Sequence, residues 1–542
     1  MGSSNKQRRA TAPSAGERRP DAAFLAWLAE GGARVDAGLR LGAAPDGRRG
    51  VFAAQALPAG RVVVSIPADM IIRPAESAVA EPLRSAGIGA DEFESPRLER
   101  EALVLAVVFE IARGAKSRWA PYLAALPAAD ELHCPVLWSD KQLAWLAGTG
   151  VATVMNRPED DTEELPNMTA EHWEQLAWPL LREHPELGFA SEAEAKAAYR
   201  HATALVAGYS FGLGREAVQA MVPFWDMLNH ASPGGEGVRL HFSAATQTLD
   251  MITVRSIECG EEVYNTYGPI SNAELLRRYG FVLPGLTNPH DEALLEVRPD
   301  WLAALALEEL AALSPAAPQM VGYALGLLNE AGVLPAGGCV VPVGAEGAPP
   351  PRLLEAVRVL TMDADQLAAF SAALAPRRLP RRAYRPLPRM AAATVVDRRH
   401  ARRISAVLAA AAQEAIIAGR QKEGVPSGPA LKTAADNTRA MLAREVAASE
   451  GRCLAAMAAF AERADGPEIS GLARAALPAV WAPLVRRRRA RLREFLFSPY
   501  HKYAAGCLAS AAGRRPAKGG GGGQLDASSC AGLGCTVPSC CT

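Results

Sequence analysis

The sequence carries no surplus of either charge: 58 lysines and arginines stand against 58 aspartates and glutamates. That balance excludes a general nucleic-acid binder, which needs a basic excess to hold phosphate. Long hydrophobic runs are missing too, and no stretch approaches the length that crosses a bilayer, so a soluble protein is expected. Cysteine is sparse through most of the chain. Cys134, Cys259, Cys339, Cys453 and Cys507 are scattered with neither zinc-ligand nor disulfide spacing, which fits a reducing compartment. Cys530, Cys535, Cys540 and Cys541 crowd the last thirteen residues behind a run of five glycines, the composition of a low-complexity tail. Neither HExxH nor a Cys/His cluster occurs before that tail, so no metal is expected.

What is present is apolar and helical. With 542 residues, 49% of them hydrophobic, the chain can build two or three packed domains. Residues 1–20 are polar, basic and Ser/Arg-rich, a disordered leader in which a targeting signal stays an alternative. The segment 46–72, DGRRGVFAAQALPAGRVVVSIPADMII, holds two β-prone runs joined by the turn Pro58-Ala59-Gly60, and predicts a hairpin. From Ser95 to about residue 200 the period changes to 3.6, as in REALVLAVVFEIARG. Strand patterns return at 238–242 and 249–254 around a turn at 244–247. Beyond Asn288 the pattern is helical again to about residue 465, and Arg486 to Arg489, with Arg491 and Arg493, make a basic run that reads as a solvated helix face.

The chemistry concentrates in residues 223–283. PFWDMLNH ends an apolar run at a Pro/Gly turn, which sets Asn229 and His230 at the lip of a loop. Tyr267 follows the β-prone run Glu262 to Thr266 and precedes Gly268 and Pro269. SNAELLRRYG then predicts a helix with Ser271 as N-cap, Glu274 completing a capping box, and a stop at Gly280. One decoy lies upstream. GYSFG at 208–212 matches the G-x-S-x-G elbow of hydrolases, but a helical segment precedes the serine where that fold needs a strand.

PFWDMLNH together with NTYGPISNAELLRRYGF resembles the SET-domain protein methyltransferases, and within them the Rubisco large-subunit methyltransferase class. The wording is similar to the branch of SET domain-containing protein 6 and the fungal ribosomal-protein lysine methyltransferases. The resemblance implies an α+β fold: a β-rich SET domain over 21–285, split by a helical insertion at about 80–205, then an all-α substrate-binding domain over 286–465. A basic helical extension at 466–515 and a disordered Gly/Cys tail at 516–542 would follow. It implies S-adenosyl-L-methionine as methyl donor, held by Gly47, Arg48, Arg49, Tyr209, Asp226, Met227, Leu228, Asn229, His230 and Tyr279. Tyr267 is then the catalytic tyrosine beside the transferring methyl. A lysine of a protein substrate would lie among Trp119, Phe211, Tyr267 and Phe281, although Trp119 reads equally as core.

The implied activity is protein-lysine N-methylation by a monomer with no nucleic-acid or membrane partner, on a ribosomal, nuclear or histone protein. Alternatives are a plastid enzyme acting on Rubisco or aldolase, an actin-type histidine methyltransferase, and a catalytically silent SET-fold binding module. Nucleus, cytoplasm and plastid all stay open as compartments.

Overall fold

The computed structural model describes residues 19–480, with breaks at 45–46, 89–92, 94, 156–171, 214–217, 286, 375–395, 423–424, 426–432, 465–466, 470, 474 and 476–479. Residues 1–18 of the leader, the arginine run and the cysteine tail lie outside the described residues, whereas Arg19 and Pro20 of the expected leader begin a helix. No described helix is long and apolar enough to cross a membrane.

The first unit opens with the helix Arg19–Glu30 and the strands β1 (Arg34–Val35), β2 (Leu39–Ala43), β3 (Arg49–Ala53) and β4 (Val62–Pro67). The turn at Pro58-Ala59-Gly60 does not make the expected hairpin. Instead β3 pairs antiparallel with β2, whereas β4 joins β1 on one side and β8 (Thr248–Thr253) on the other. Strand β7 (Val238–Ser243) completes a four-stranded sheet of order β1-β4-β8-β7, and its hairpin with β8 is the one the alternation predicts. The reason for the difference is local. At 58–60 the turn residues only redirect the chain, because the faces of β3 and β4 are claimed by partners elsewhere in the sequence.

Helices fill the space between β4 and β7, among them Pro96–Ala112 and Glu192–Tyr209, which pack their apolar faces into the largest core with Phe24, Val51, Leu103 and Phe224. The latter helix runs straight into β5 (Ser210–Leu213), paired with β6 (Val218–Met221). Ser210 therefore sits at a helix end, its hydroxyl donating to Val206 O at 2.6 Å and Gln219 Oε1 at 3.1 Å. That geometry removes the hydrolase elbow, in which the serine must follow a strand.

The helix Asn272–Tyr279 closes the first unit. Ser271 Oγ accepts from Glu274 N at 3.4 Å, but the return half of the capping box is absent. The Glu274 carboxylate pairs instead with Arg277 at 2.8 Å and Arg278 at 2.7 Å, which holds it down at about pKa 2 despite burial. Two cations one turn away outbid a single backbone N–H. Gly280 ends the helix at φ +76°, where an added Cβ would stand 2.8 Å from Cys134 N and 2.9 Å from His133 C. Gly280→Ala thus forces both a left-handed backbone and a backbone clash, and a loss of more than about 1 kcal/mol of stability is expected in chemical denaturation.

The second unit is mainly helical, with Pro299–Ala311, Ala317–Glu330, Pro351–Leu360, Ala364–Leu374, Arg398–Lys422 and Ala434–Arg463 around one core. It is not all-α, because β9 (Glu292–Val297) and β10 (Cys339–Gly344) form an antiparallel pair whose alternate residues enter that core. The two units share the helix Ala434–Arg463. Its first half (Ala440, Ala443, Val446) packs on Trp138, Trp145, Val151 and Leu276, while its second half (Cys453, Met457, Ala461) belongs to the second core.

At the middle of this shared helix, Glu450 accepts from Gly150 N through both oxygens, at 2.8 and 3.0 Å. Burial pushes its carboxyl up from 4.5 to about 8, with Asp291 and Glu292 adding repulsion. A raised folded-state value means that the folded protein holds a proton the unfolded chain releases, so stability is lost as pH rises from about 5 through 8. Glu450→Gln is expected to flatten that decline in the melting temperature.

Candidate active site

The site is built where the segment 260–267 threads between two others. On one side Val263 N donates to Val51 O at 2.7 Å and Ala53 N to Glu261 O at 2.9 Å; on the other, Asn265 N donates to Asn229 O at 2.9 Å and Ala231 N to Asn265 O at 2.8 Å. The stretch expected as a strand is therefore tied to both flanks by single bridges rather than a long ladder. This threading brings Asn229 and His230 beside Tyr267.

Tyr267 is fixed at both ends. Its amide donates to His230 Nδ1 at 3.0 Å, and its hydroxyl donates to Leu228 O at 2.9 Å. An imidazole that accepts at Nδ1 keeps its proton on Nε2 when neutral, and burial favours the neutral ring by lowering the pKa of His230, with His290 adding to the effect. Tyr267 stacks on Tyr279 with centroids 4.3 Å apart, and Phe281 stands edge-on to it at 6.4 Å. His230 completes the ring cluster, 5.0 Å from Tyr267 and 6.3 Å from Phe281. Phe211 lies on β5 in a separate T-shaped pair with Trp225 at 5.8 Å. Burial raises the pKa of Tyr267, Tyr209 and Tyr279 above the ordinary phenol value, so these walls are uncharged at neutral pH.

The wall behind them is Asp226, Met227 and Leu228, all buried; the first two lie in the short 3-10 turn Trp225–Met227, which is entered through Phe224 at φ 73°, a value rare outside glycine, and Leu228 caps it in extended conformation. Asp226 Oδ2 accepts from Tyr122 OH at 2.6 Å, while Oδ1 is buried without a hydrogen-bond partner. Burial lifts this carboxyl to about 7, against the pull of the Tyr122 hydrogen bond and the Arg49 charge. Arg49 itself bonds Ala125 O at 2.7 Å and Asp21 at 3.3 Å. Its carbonyl accepts from Asn229 Nδ2 at 3.0 Å, which joins the Gly47–Arg48–Arg49 turn to the Asn229–His230 lip.

Residues 48–268 match the family model described as SET domain. This chain carries a SET domain. The match begins at the Arg48 turn and ends on Gly268, and so encloses the threaded segment and Tyr267. Among curated proteins the chain is similar to N-lysine methyltransferase SETD6 of Bos taurus, 28% identical over 55% of this chain and 65% of that protein. It is also similar to N-lysine methyltransferase SETD6 of Homo sapiens, 33% identical over 36% of this chain and 40% of that one. The chain thus spans between 40% and 65% of the length of these two relatives. The fold resembles the SET domain of LSMT bound to lysine and AdoHcy, with a TM-score of 0.54 and 17% identity over 89% of this chain and 98% of that one. Rubisco LSMT bound to AdoMet is similar at 0.54 and 18%, over 82% and 92%.

The SET domain gathers most of the residues read from sequence. Gly47, Arg48 and Arg49 form the turn under Asn229, and Tyr209, Asp226 to His230, Tyr267, Tyr279 and Phe281 line one region. Trp119 is the exception and its groove assignment is corrected: it is 1% exposed, with its indole N–H donating to Met70 O at 2.9 Å, so it packs the core and no peptide can reach it. Tyr122, three residues on, is the member of that segment that touches the site, and it carried no motif. Glu262 was legible only as the start of a β-prone run.

Proposed function

We propose that this chain is an S-adenosylmethionine-dependent protein-lysine N-methyltransferase whose acceptor is a lysine-bearing segment of a ribosomal or nuclear protein. The observation that carries the reading is the uncharged cluster of Tyr267, Tyr279, Phe281 and His230, pinned to Leu228 O at its centre. Lysine titrates near 10.4 in water and must lose a proton before its amine can attack. Apolar, neutral walls disfavour the ammonium form and so ease that loss. Fixing the tyrosine at both backbone and hydroxyl aligns the walls in advance, and alignment is the main demand of an in-line transfer.

The residues present fit the methyl donor. Asn229 Oδ1 and His230 Nε2 have no protein hydrogen-bond partner among the described residues, which leaves one acceptor and, in the neutral ring, one donor for a ligand. When bound, the donor supplies a methyl group activated by its sulfonium. Lysine is favoured over histidine because position 211, where a small polar residue would suit an imidazole, carries the bulky Phe211, paired edge-on with Trp225 at 5.8 Å. The similarity to SETD6 proteins supports the same acceptor chemistry, and the helical second unit supplies a surface for the protein substrate.

The test is incubation of the purified protein with methyl-labelled S-adenosylmethionine and an extract of its own cells. Labelled protein bands are expected, and hydrolysis to amino acids should release methyl-lysine. Release of methyl-histidine would overturn the acceptor assignment, and a protein that binds the donor yet labels nothing across several pH values would be a binding module.

A further inference from the structure

Glu262 is not one of the clustered rings, yet it holds the side chain of Asn229, the neighbour of His230. Its Oε1 accepts from Asn229 Nδ2 at 2.6 Å, and its Oε2 accepts from Tyr264 OH at 2.7 Å. The same Asn229 nitrogen donates to Arg49 O at 3.0 Å. An amide side chain can ordinarily be turned end for end at little cost, presenting either its NH2 or its carbonyl to a ligand. Here both N–H bonds are committed, one to a backbone carbonyl and one to a carboxylate, and neither partner can donate in return. The amide is therefore locked with its nitrogen inward.

Close packing makes room for the lock. Gly50 stands against it, and a Cβ there would meet Glu262 Oε1 at 2.6 Å and Asn229 Nδ2 at 3.0 Å. Any other residue at position 50 would push the carboxylate and the amide apart. Asn229 itself is half-buried, and its Oδ1 has no partner among the described residues.

We infer that Glu262 is a positioning residue that locks the Asn229 amide so that its carbonyl oxygen faces the methyl donor and reads an N–H group of that donor. The inference rests on the methyl-transfer reading and deepens it. Two N–H groups of the donor have the required chemistry, the α-ammonium and the exocyclic amine of adenine. With Glu262 removed, Arg49 O alone opposes the flip, and the flipped amide would turn NH2 toward an N–H donor.

The test is calorimetric titration of the full chain, as wild type, Glu262→Leu and Glu262→Gln, with S-adenosylhomocysteine and with 5′-methylthioadenosine, beside thermal unfolding of each. Leucine removes the acceptor at similar volume. Glutamine keeps an oxygen for Asn229 while its NH2 donates to the Tyr264 hydroxyl. S-adenosylhomocysteine affinity is expected to fall about tenfold in Glu262→Leu, the scale of one hydrogen bond to a charged or ionisable group, and to return in Glu262→Gln. In turnover the loss should appear in KM for the donor and not in kcat.

5′-Methylthioadenosine lacks the amino-acid part. Unchanged affinity for it in Glu262→Leu assigns the α-ammonium, and a parallel loss assigns the adenine amine; both support the lock. Unchanged S-adenosylhomocysteine affinity in Glu262→Leu overturns it. So does equal weakness of both variants with equally lowered unfolding temperatures, which is what a merely structural carboxylate would give. Failure of the wild type to bind S-adenosylhomocysteine is a different result, because it overturns the methyl-transfer reading and takes this inference with it.

Discussion

Tyr267→Phe is expected to slow methyl transfer by about a hundredfold or more at saturating donor, the usual cost of removing one preorganised hydrogen-bonding group from a reacting centre. Donor affinity and fold should stay as they are. The ring can keep its 4.3 Å stack on Tyr279 and its amide bond to His230, since neither involves the hydroxyl. What disappears is the O–H that donates to Leu228 O, together with the oxygen lone pairs. Burial raises the pKa of this phenol, first through desolvation and then through Tyr209, Tyr279 and Asp226, so it is neutral at any working pH. On the proposed reading its part in the transfer is therefore that of a fixed dipole and not of a base. A variant that turns over at the wild-type rate in the labelling assay would reduce Tyr267 to a wall of the channel.

The meeting of Asn229 and His230 with Tyr267 was legible in the sequence because each part is contiguous. PFWDMLNH and NTYG each place several polar and aromatic groups within a few residues, and the stop at Gly280 follows from the one residue type that accepts a left-handed backbone. The hairpin of β7 and β8 was legible for the same reason, since alternation and turn lie together.

What escaped reading depends on distance along the chain. Tyr122 meets Asp226 across 104 positions, and nothing in SRWAPYLAALP marks the tyrosine over Trp119. Trp119 is as large and amphipathic as a groove residue would be; packing in the core and the Met70 carbonyl, 49 positions away, bury it. Pro58-Ala59-Gly60 is a correct turn signal with the wrong consequence, because partners for β3 and β4 were settled by β2 and β8. In the second unit β9 and β10 were hidden inside an Ala/Leu-rich background, each a single short strand between helices.

Arg358→Met is expected to produce the largest loss of stability, about 3–5 kcal/mol, the range seen when one partner of a buried ion pair is deleted. Arg358 and Glu355 lie one turn apart on the helix Pro351–Leu360, both 0% exposed, with Nε to Oε2 at 2.5 Å and Nη2 to Oε1 at 3.1 Å. The guanidinium also sits 5.0 Å over the Phe370 ring. Methionine fills much of the same space but strips the buried Glu355 carboxylate of both Arg358 hydrogen bonds.

The double variant Glu355→Leu/Arg358→Met should recover most of the loss, because two apolar side chains need no partner; a double variant as unstable as the single would show that the charges themselves hold the fold. Helical circular dichroism in urea separates these outcomes, since the second unit is mainly helix. Damage there should also travel. The helix Ala434–Arg463 serves the second core and the seam with the SET domain, and Glu450 on it holds Gly150 N. Loosening the second core should therefore free that helix before the threaded segment that carries Tyr267 yields, and donor binding should survive at urea concentrations where protein labelling has already failed.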